Sequence, residues 1–506
     1  MMSKYFFLTF LSSLLLQPLF VSAQIFDWEV GLTADRTVIR AQRIGATAQP
    51  APTILYLAGL NGASGAADQL QSLLQRYAQL ETQARPVNLI IIGVANPDNE
   101  AFSFPPQGDA YIENPVAHAL WRWIGTHAPD LIIVENGDDS GFATAVQTEG
   151  IAGFGQLPVQ LLSATNASLD YLLDSSALPT SPARVEFNRR ISRTPQQLAA
   201  QLAESYGYDF STPAYVPGMS VIGRLRLGAT EAVAELISDY LGDVQVAVSN
   251  ASVMAGQLVF AEFAERTGSA VALQLAIAAA DLAFDAQGNP LEVAPMHNEM
   301  SDAFFMATPL LTKVGKLTGD PKYFEMAARH VNYMRNLLLR DNGLYRHSPE
   351  ADVAWSRGNG FPALGLALTL SDLPQSHPAY GSILDAFVNH LQALRPHQDE
   401  DGMWHEVIDY PGSFAEITST AMIGIAMKRG IDRGWLPANV YQAMLDKSWR
   451  AVSSRTSFDG EFINACTSTG KMTSLDAYLD RLAIFGRDDR AGGMVMNFAI
   501  EMAGIK

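Results

Sequence analysis

The chain has 506 residues, 48% of them apolar, enough for more than one large core. Its formal net charge is -18, from 34 basic and 52 acidic residues, which argues against nonspecific binding to nucleic acid or to an anionic membrane surface. The single cysteine, Cys466, leaves no internal disulfide and no cysteine-based zinc site, and nothing beside it in sequence would activate a thiol.

Residues 1–23 read as a secretory signal peptide. Lys4 supplies the positive start, Tyr5 to Val21 the apolar stretch, and Val21-Ser22-Ala23 a small-residue cleavage site before Gln24. Gln17 and Pro18 cut the run short of the ~20 apolar residues a spanning helix needs. No cysteine follows for a lipid anchor, and no later segment is long and apolar enough to span a membrane. The expectation is a periplasmic protein, with no membrane association once the leader is cleaved near Ala23.

Residues 24–225 alternate strand and helix signals, which predicts an α/β domain with parallel pairing. Short apolar runs at Thr53-Ile-Leu-Tyr-Leu-Ala58, Val87 to Val94 and Leu131-Ile-Ile-Val134 read as strands; Ala66 to Leu80 and Pro115 to His127 read as helices. Gly59-Leu-Asn-Gly62 falls where the first of these strands should end, the usual place for a site in such a sheet. Tyr215 to Arg224, with a proline and two glycines, reads as the joint between domains.

From 229 to 506 the periodicity is helical, and the expectation is an all-α domain built as an α/α barrel. Amphipathic runs fall at 229–241, 250–266, 269–284, 300–317, 321–340, 359–371, 380–395, 414–430, 437–453 and 488–504. About ten helices are fewer than the twelve of a closed six-hairpin toroid. That leaves open an incomplete ring, finished by the N-terminal domain or by a partner subunit.

Chemistry-bearing residues recur at the loops of this half: Asp302 at a helix start, His347 in Gly343-Leu-Tyr-Arg-His347, Trp355-Ser-Arg357-Gly-Asn359-Gly-Phe361, Gly402-Met-Trp404-His405, and Glu416. An acid that can protonate, aromatic stacking faces and a planar cation for a carboxylate suit a pocket for a sugar acid. Each residue also has a plainer reading. Asp302 could stabilise a helix dipole, His347 could hydrogen-bond structure, Trp355 and Trp404 could pack, and Arg357 could pair with a loop acid. Glu416 could bind sugar or hold His405 or Arg357. His397 to Gly402 lacks metal-ligand spacing and reads as a solvated turn. No metal and no cofactor are expected.

With these motifs in order, residues 245–506 resemble the unsaturated glucuronyl and rhamnogalacturonyl hydrolases, glycoside hydrolase families 88 and 105. Further residues carrying the likeness are Met306, Pro309 and Leu310, Leu344 and Tyr345, Glu416 with Thr420-Ala-Met422, Lys428-x-Gly430-Ile431, Tyr478-Leu-Asp-Arg481 and Asp489 to Gly493. The resemblance implies an α/α barrel that removes a 4,5-unsaturated uronic acid from an acidic oligosaccharide. It implies hydration of the C4=C5 bond, with Asp302 as proton donor and base. His347, Trp355, Arg357, Asn359, Trp404, His405 and Glu416 are then substrate-binding. Two features depart from the pattern: Val248 to Gly256 lacks the acid usual on an early barrel helix, and Met300 stands where an aromatic often precedes the acid, with Phe361 as the last aromatic of the Trp-Arg-Gly motif. An exo-acting β-glucuronidase of saturated glucuronides, with Glu406, Asp409 or Glu416 as second carboxylate, and a non-catalytic glycan-binding protein therefore stay open, as does homo-oligomerisation.

Residues 50–140 resemble zinc carboxypeptidases through Leu57 to Gly62, Ala95 to Asp98, Phe104 to Pro106 and Ala119-Leu120 leading to Pro129-Asp130. The three ligand positions of that family hold Asn61, Ser64 and Asn136, so the expectation is a scaffold without zinc.

Overall fold

The structure, a computed structural model, describes residues 24–62, 65–80, 84–135, 139–163, 166, 168–242 and 247–505. The leader, Ser64 and Asn136 lie outside the described residues.

The N-terminal part is a six-stranded mixed sheet in the order β1-β2-β4-β3-β5-β6. The strands are β1 (Phe26–Leu32), β2 (Val38–Ile44), β3 (Thr53–Leu57), β4 (Asn88–Ile92), β5 (Leu131–Val134) and β6 (Val159–Leu161). β3, β4 and β5 are central, parallel and buried at every position, which is why they read as unbroken apolar runs. β1 and β2 join antiparallel at one edge. Their burial is intermittent and their sequences carry charge, so they give no such run. Helices Ala66–Ala78 and Pro115–His127 cover opposite faces, each packed in a separate apolar cluster.

The C-terminal part is a closed toroid of twelve helical layers among the described residues. Six inner layers run in the same direction: Tyr215–Arg226, Ala251–Thr267, Ala303–Thr318, Ser356–Asp372, Ile417–Asp432 and Asp489–Met502. The second and third are each broken in two, at Gln257 and at Ala307. The outer layer comprises Pro195–Ala203, Thr230–Gly242, Ala270–Asp281, Lys322–Leu338, Tyr380–Leu394 and Ala438–Ser454.

Two expectations are corrected here. The segment expected to join the domains is a buried inner helix, and the ring is closed by the chain itself. Helix Tyr215–Arg226 packs on Asp489–Met502 at one side and on Leu258–Thr267 at the other. Its glycines are close-approach positions rather than breaks. A Cβ on Gly223 would lie 2.5 Å from the Met496 sulfur, and one on Gly493 would lie 3.0 Å from Ser220 Oγ. Helix Pro195–Ala203 packs against the same last helix, so the helical core begins well before residue 229.

Two small antiparallel sheets stand between the toroid and the N-terminal domain. They are β7 (Trp404–His405) with β8 (Ala415–Glu416), and β9 (Phe462–Cys466) with β10 (Ala483–Gly486). β9 sends side chains to both sides of this partition, its alternation broken at Asn464, which is left-handed at φ 64°. Ile463 enters the apolar cluster of the N-terminal sheet, whereas Phe462 and Ala465 enter that of the toroid. Arg122, on helix Pro115–His127, donates to Asn464 Oδ1 at 2.7 Å and to the Ala483 carbonyl at 2.9 Å. Tyr111 stacks on Phe414 at 4.9 Å.

Candidate active site

Because the six inner layers run the same way, their N-terminal ends meet at one rim, facing the partition. Asp302 directly precedes Ala303, Trp355 and Glu416 are helix caps, Arg357 lies in a first turn, and Tyr215 opens its helix. Each helix start carries a partial positive charge of about +0.5, so this rim favours an anion. The opposite rim gathers the helix C-termini and answers them with ion pairs such as Arg226 with Glu262 at 2.6 Å and Lys313 with Asp372 at 3.1 Å.

At the centre of the first rim, Asp302 is 2% exposed. Its Oδ2 lies 3.1 Å from His347 Nε2, and its Oδ1 has no protein partner. His347 Nδ1 lies 2.8 Å from the Tyr478 hydroxyl, which accepts from Met472 N at 3.1 Å. The Tyr478 proton is therefore free to point at Nδ1, leaving Nε2–H to donate to the aspartate. Trp355 packs beside His347 at 4.4 Å between ring centroids. Two guanidinium groups, those of Arg357 and Arg481, lie 4.8 and 4.4 Å from the Trp355 ring.

Behind Trp355 sits a second buried carboxyl. Glu406 Oε1 accepts from Trp355 Nε1 at 2.7 Å and from the Cys466 thiol at 3.0 Å, while Oε2 has no partner. Burial, then the nearby Glu416 charge, push the Glu406 pKa up to about 8 against the weaker pull of Arg481 and Arg357. The carboxyl is thus neutral near pH 7, with its proton on the oxygen that accepts nothing. Burial and Glu406 also push the Cys466 thiol well up, so it stays protonated.

Asp302, His347, Trp355 and Arg357 come together, but four other candidates do not join them as ligands. Asn359 uses its amide to pin backbone, donating to the carbonyls of Tyr345 and Trp355 and accepting from Tyr345 N, each at 2.9 Å. Trp404 is a core residue whose indole donates to the Leu394 carbonyl. Glu416 caps its helix, accepting from Thr418 N at 3.0 Å and Ser419 N at 2.6 Å, and also takes Cys466 N at 3.0 Å. His405 points to the far side of the partition, 2.9 Å from Asp399. Burial opposes its charge, but Asp399 outweighs burial and holds its pKa above the ordinary value.

Arg357 is also not open as expected. It donates to the carbonyls of Cys466 and Ser468 and to Thr418 Oγ1. Arg481 holds the same loop through the carbonyls of Ser468 and Gly470. The loop after β9 therefore lies over the rim, with Ser468 in the left-handed region at φ 58°. Tyr478, Arg481 and Tyr215 received no role from sequence. The spacing Tyr478-x-x-Arg481 was the available signal, since both reach the Trp355 ring region.

In the acid-free stretch Val248 to Gly256, Asn250 is a helix cap that accepts from Val253 N at 3.0 Å. In the N-terminal domain, Asn61 follows β3 and accepts from Ser140 Oγ at 2.9 Å. Among the described residues no group of three or more His, Cys, Asp or Glu side chains is placed to hold a metal ion, and no helix is long and apolar enough to cross a membrane.

Known proteins share the fold of the helical toroid. The toroid matches a possible family 105 glycoside hydrolase from Salmonella enterica with a TM-score of 0.53 and 20% identity, over 62% of this chain and 95% of that one. A family 88 glycosyl hydrolase from Bacteroides vulgatus matches with a TM-score of 0.52 and 16% identity, over 62% and 100%. In sequence, the unsaturated 3S-rhamnoglycuronyl hydrolase of Alteromonas sp. (strain LOR) is 28% identical over 183 residues, 34% of this chain and 44% of that one. The unsaturated rhamnogalacturonyl hydrolase YesR of Bacillus subtilis is 26% identical over 186 residues, 35% and 52%. The chain thus spans about half the length of the curated relatives it matches. The profile of glycosyl hydrolase family 88 covers residues 232–506, more than half the chain and all of the rim built around Asp302 except Tyr215, and the protein belongs to that family.

Proposed function

We propose that the protein removes a terminal 4,5-unsaturated uronic acid from acidic oligosaccharides. The observation that carries this reading is the Asp302 carboxyl, oriented by His347 and Tyr478 through one oxygen and unpartnered at the other. Two relatives act, by name, on unsaturated uronyl substrates.

In the proposed reaction Asp302, protonated, gives its proton to C4 of the C4=C5 bond. The carboxylate that results takes a proton from water as its oxygen bonds to C5. The hemiketal so formed opens and releases the remaining sugar, and Asp302 ends protonated again. His347 holds the carboxyl in place, and Trp355, fully buried, packs beside His347 and fixes its ring. Arg357, fully buried, holds the end of β9 and the loop that follows it through the carbonyls of Cys466 and Ser468. The leader expected at residues 1–23 favours a periplasmic site for this reaction.

A second reading is favoured by Glu406. A buried carboxyl that is neutral near pH 7, with one free oxygen, has the properties of a general acid. Together with Asp302 it gives the two carboxyls required by a glycosidase of saturated β-glucuronides.

The test uses lyase-generated oligosaccharides ending in a 4,5-unsaturated uronate, followed by loss of the ultraviolet band of the conjugated bond. Wild type should consume the band and Asp302→Asn should lose at least a thousandfold in kcat. Release of glucuronate from saturated β-glucuronides with no loss of the band moves the assignment to the second reading. Silence on both substrates defeats both.

A further inference from the structure

Trp355 and Glu406 meet behind the Asp302 site because their backbones pair. Ser356 N donates to the Glu406 carbonyl at 2.8 Å and Ile408 N to the Ala354 carbonyl at 2.9 Å, so residues 354–356 lie against residues 406–408 as in an antiparallel ladder. Glu406 N donates in turn to the Phe414 carbonyl at 2.8 Å. These bonds fix the Trp355 backbone and leave the turn of its ring to the side chain. Among the described residues the indole makes one hydrogen bond, from Nε1 to Glu406 Oε1 at 2.7 Å.

From that ring the contacts run on to the acid. The ring packs against His347 at 4.4 Å between centroids, and His347 Nε2 lies 3.1 Å from Asp302 Oδ2. Glu406 itself is fully buried on the other side of Trp355.

The charge this carboxyl can carry follows from its neighbours. Oε1 accepts twice, from the indole and from the Cys466 thiol at 3.0 Å, and Oε2 has no partner among the described residues. The charged groups that face it are Glu416 at the start of helix Ile417–Asp432, Arg357 in helix Ser356–Asp372 and Arg481 after helix Leu475–Leu479; Cys466, on β9, is the remaining titratable neighbour. Glu416 repels a second negative charge. Both guanidinium groups are committed to backbone, Arg357 to the carbonyls of Cys466 and Ser468, Arg481 to those of Ser468 and Gly470. A protonated Glu406 carries its hydrogen on Oε2 and keeps Oε1 for the indole. An ionised Glu406 is a buried charge with one bare oxygen; its nearest relief is to swing toward Arg481 or Arg357, away from Nε1. Burial and Glu416 accordingly hold its ionisation up at about 8.

We infer that the proton on Glu406 controls the Asp302 site: while it is in place Glu406 positions Trp355, and through His347 the acid, and when it leaves the indole loses its acceptor and turnover falls. Glu406 is then a positioning residue rather than the group that gives a proton to substrate. The effect on turnover rests on the unsaturated-uronate reading above; the link from Glu406 to the indole is readable without substrate.

Two measurements on the full chain test this. The first follows the Trp355 indole N–H by magnetic resonance of protein carrying nitrogen-labelled tryptophan, between pH 6 and 9, with its signal identified by its loss in Trp355→Phe. The signal should shift with a midpoint near 8 in wild type and stay still in Glu406→Gln, whose amide oxygen accepts without titrating. The second measures kcat on a 4,5-unsaturated disaccharide. Loss of the Asp302 proton lowers kcat alike in both proteins, so the difference between them belongs to Glu406. Between pH 7 and 9 wild type should lose about tenfold more than Glu406→Gln, the change in the protonated fraction of a group that titrates at about 8, with little change in KM.

A wild-type indole signal that stays flat, or one that moves alike in Glu406→Gln, overturns the link. Equal losses of kcat in the two proteins overturn the positioning role. A Glu406→Gln protein with the wild-type thermal midpoint at pH 5 but no turnover at any pH overturns it in favour of Glu406 as proton donor. If wild type consumes no unsaturated uronate while its indole still titrates, the catalytic reading falls and the proton-controlled contact stands.

Discussion

Replacing Glu406 by glutamine should change how stability depends on pH. In the unfolded chain this carboxyl ionises near its ordinary 4.5; in the folded protein burial and Glu416 hold it at about 8. Between those values the native state keeps a proton that the unfolded state has lost. The contribution of Glu406 is therefore fully favourable below pH 4.5 and declines as pH rises, until the slope vanishes above about 8. The decline is about 1.4 kcal/mol per pH unit, or roughly 4 kcal/mol between pH 5 and 8. Glutamine mimics the neutral acid: its carbonyl oxygen can accept from Trp355 Nε1 and the Cys466 thiol as Oε1 does. Urea unfolding at pH 5, 6, 7 and 8 should show wild type and Glu406→Gln close together at pH 5 and the variant increasingly more stable toward pH 8. Parallel pH profiles for the two proteins would refute the neutral-carboxyl assignment, and with it the second reading of the site.

Other outcomes follow from named contacts. Tyr478→Phe removes the hydroxyl shared by His347 Nδ1 and Met472 N; stability should fall by about 1–3 kcal/mol, and kcat should fall more than KM changes, as read by denaturation and steady-state kinetics. Burial lowers the pKa of His330 to about 4, so its contribution to stability is complete above 6.5 and is lost as pH falls toward 4; His330→Gln should flatten that acid limb in thermal melts. Gly256→Ala would bring a Cβ to 1.9 Å from the Pro213 carbonyl oxygen and should cost about 1–3 kcal/mol. Gly381→Ala, with nothing within 4 Å in helix Tyr380–Leu394, should instead stabilise by about 0.5–1 kcal/mol, a contrast readable in one set of urea curves.

Much of the site was legible because its residues stand at helix starts. Asp302, Trp355 and Arg357 precede or open helical segments, so knowing where helices begin places them on one rim. The roles of Asn359, Trp404 and Glu416 were not legible. An amide, an indole and a carboxylate are the groups that bind sugars, but they are also the groups that tie down backbone, and only the distances to Tyr345, Leu394 and Thr418 tell which they do. Tyr478 lies 131 residues from the histidine it touches, a separation that no local pattern bridges.

By itself the sequence determined the two classes of architecture, through runs of period 3.6 after residue 229 and short apolar strand runs before it, because burial of one face imposes those periods. It also determined the chemistry available at the rim. The tertiary structure alone decided that the ring closes. Tyr215–Arg226 contains Pro217, Gly218 and Gly223, which locally disfavour a helix, and becomes one because Gly223 lets it lie tightly against Asp489–Met502 and Gly218 lets it approach Gly256 and Val259 on its other side. It likewise decided that Arg357 is held by the carbonyls of Cys466 and Ser468 rather than left open to a ligand. That depends on which chain segments meet at the rim, and no segment carries that information alone.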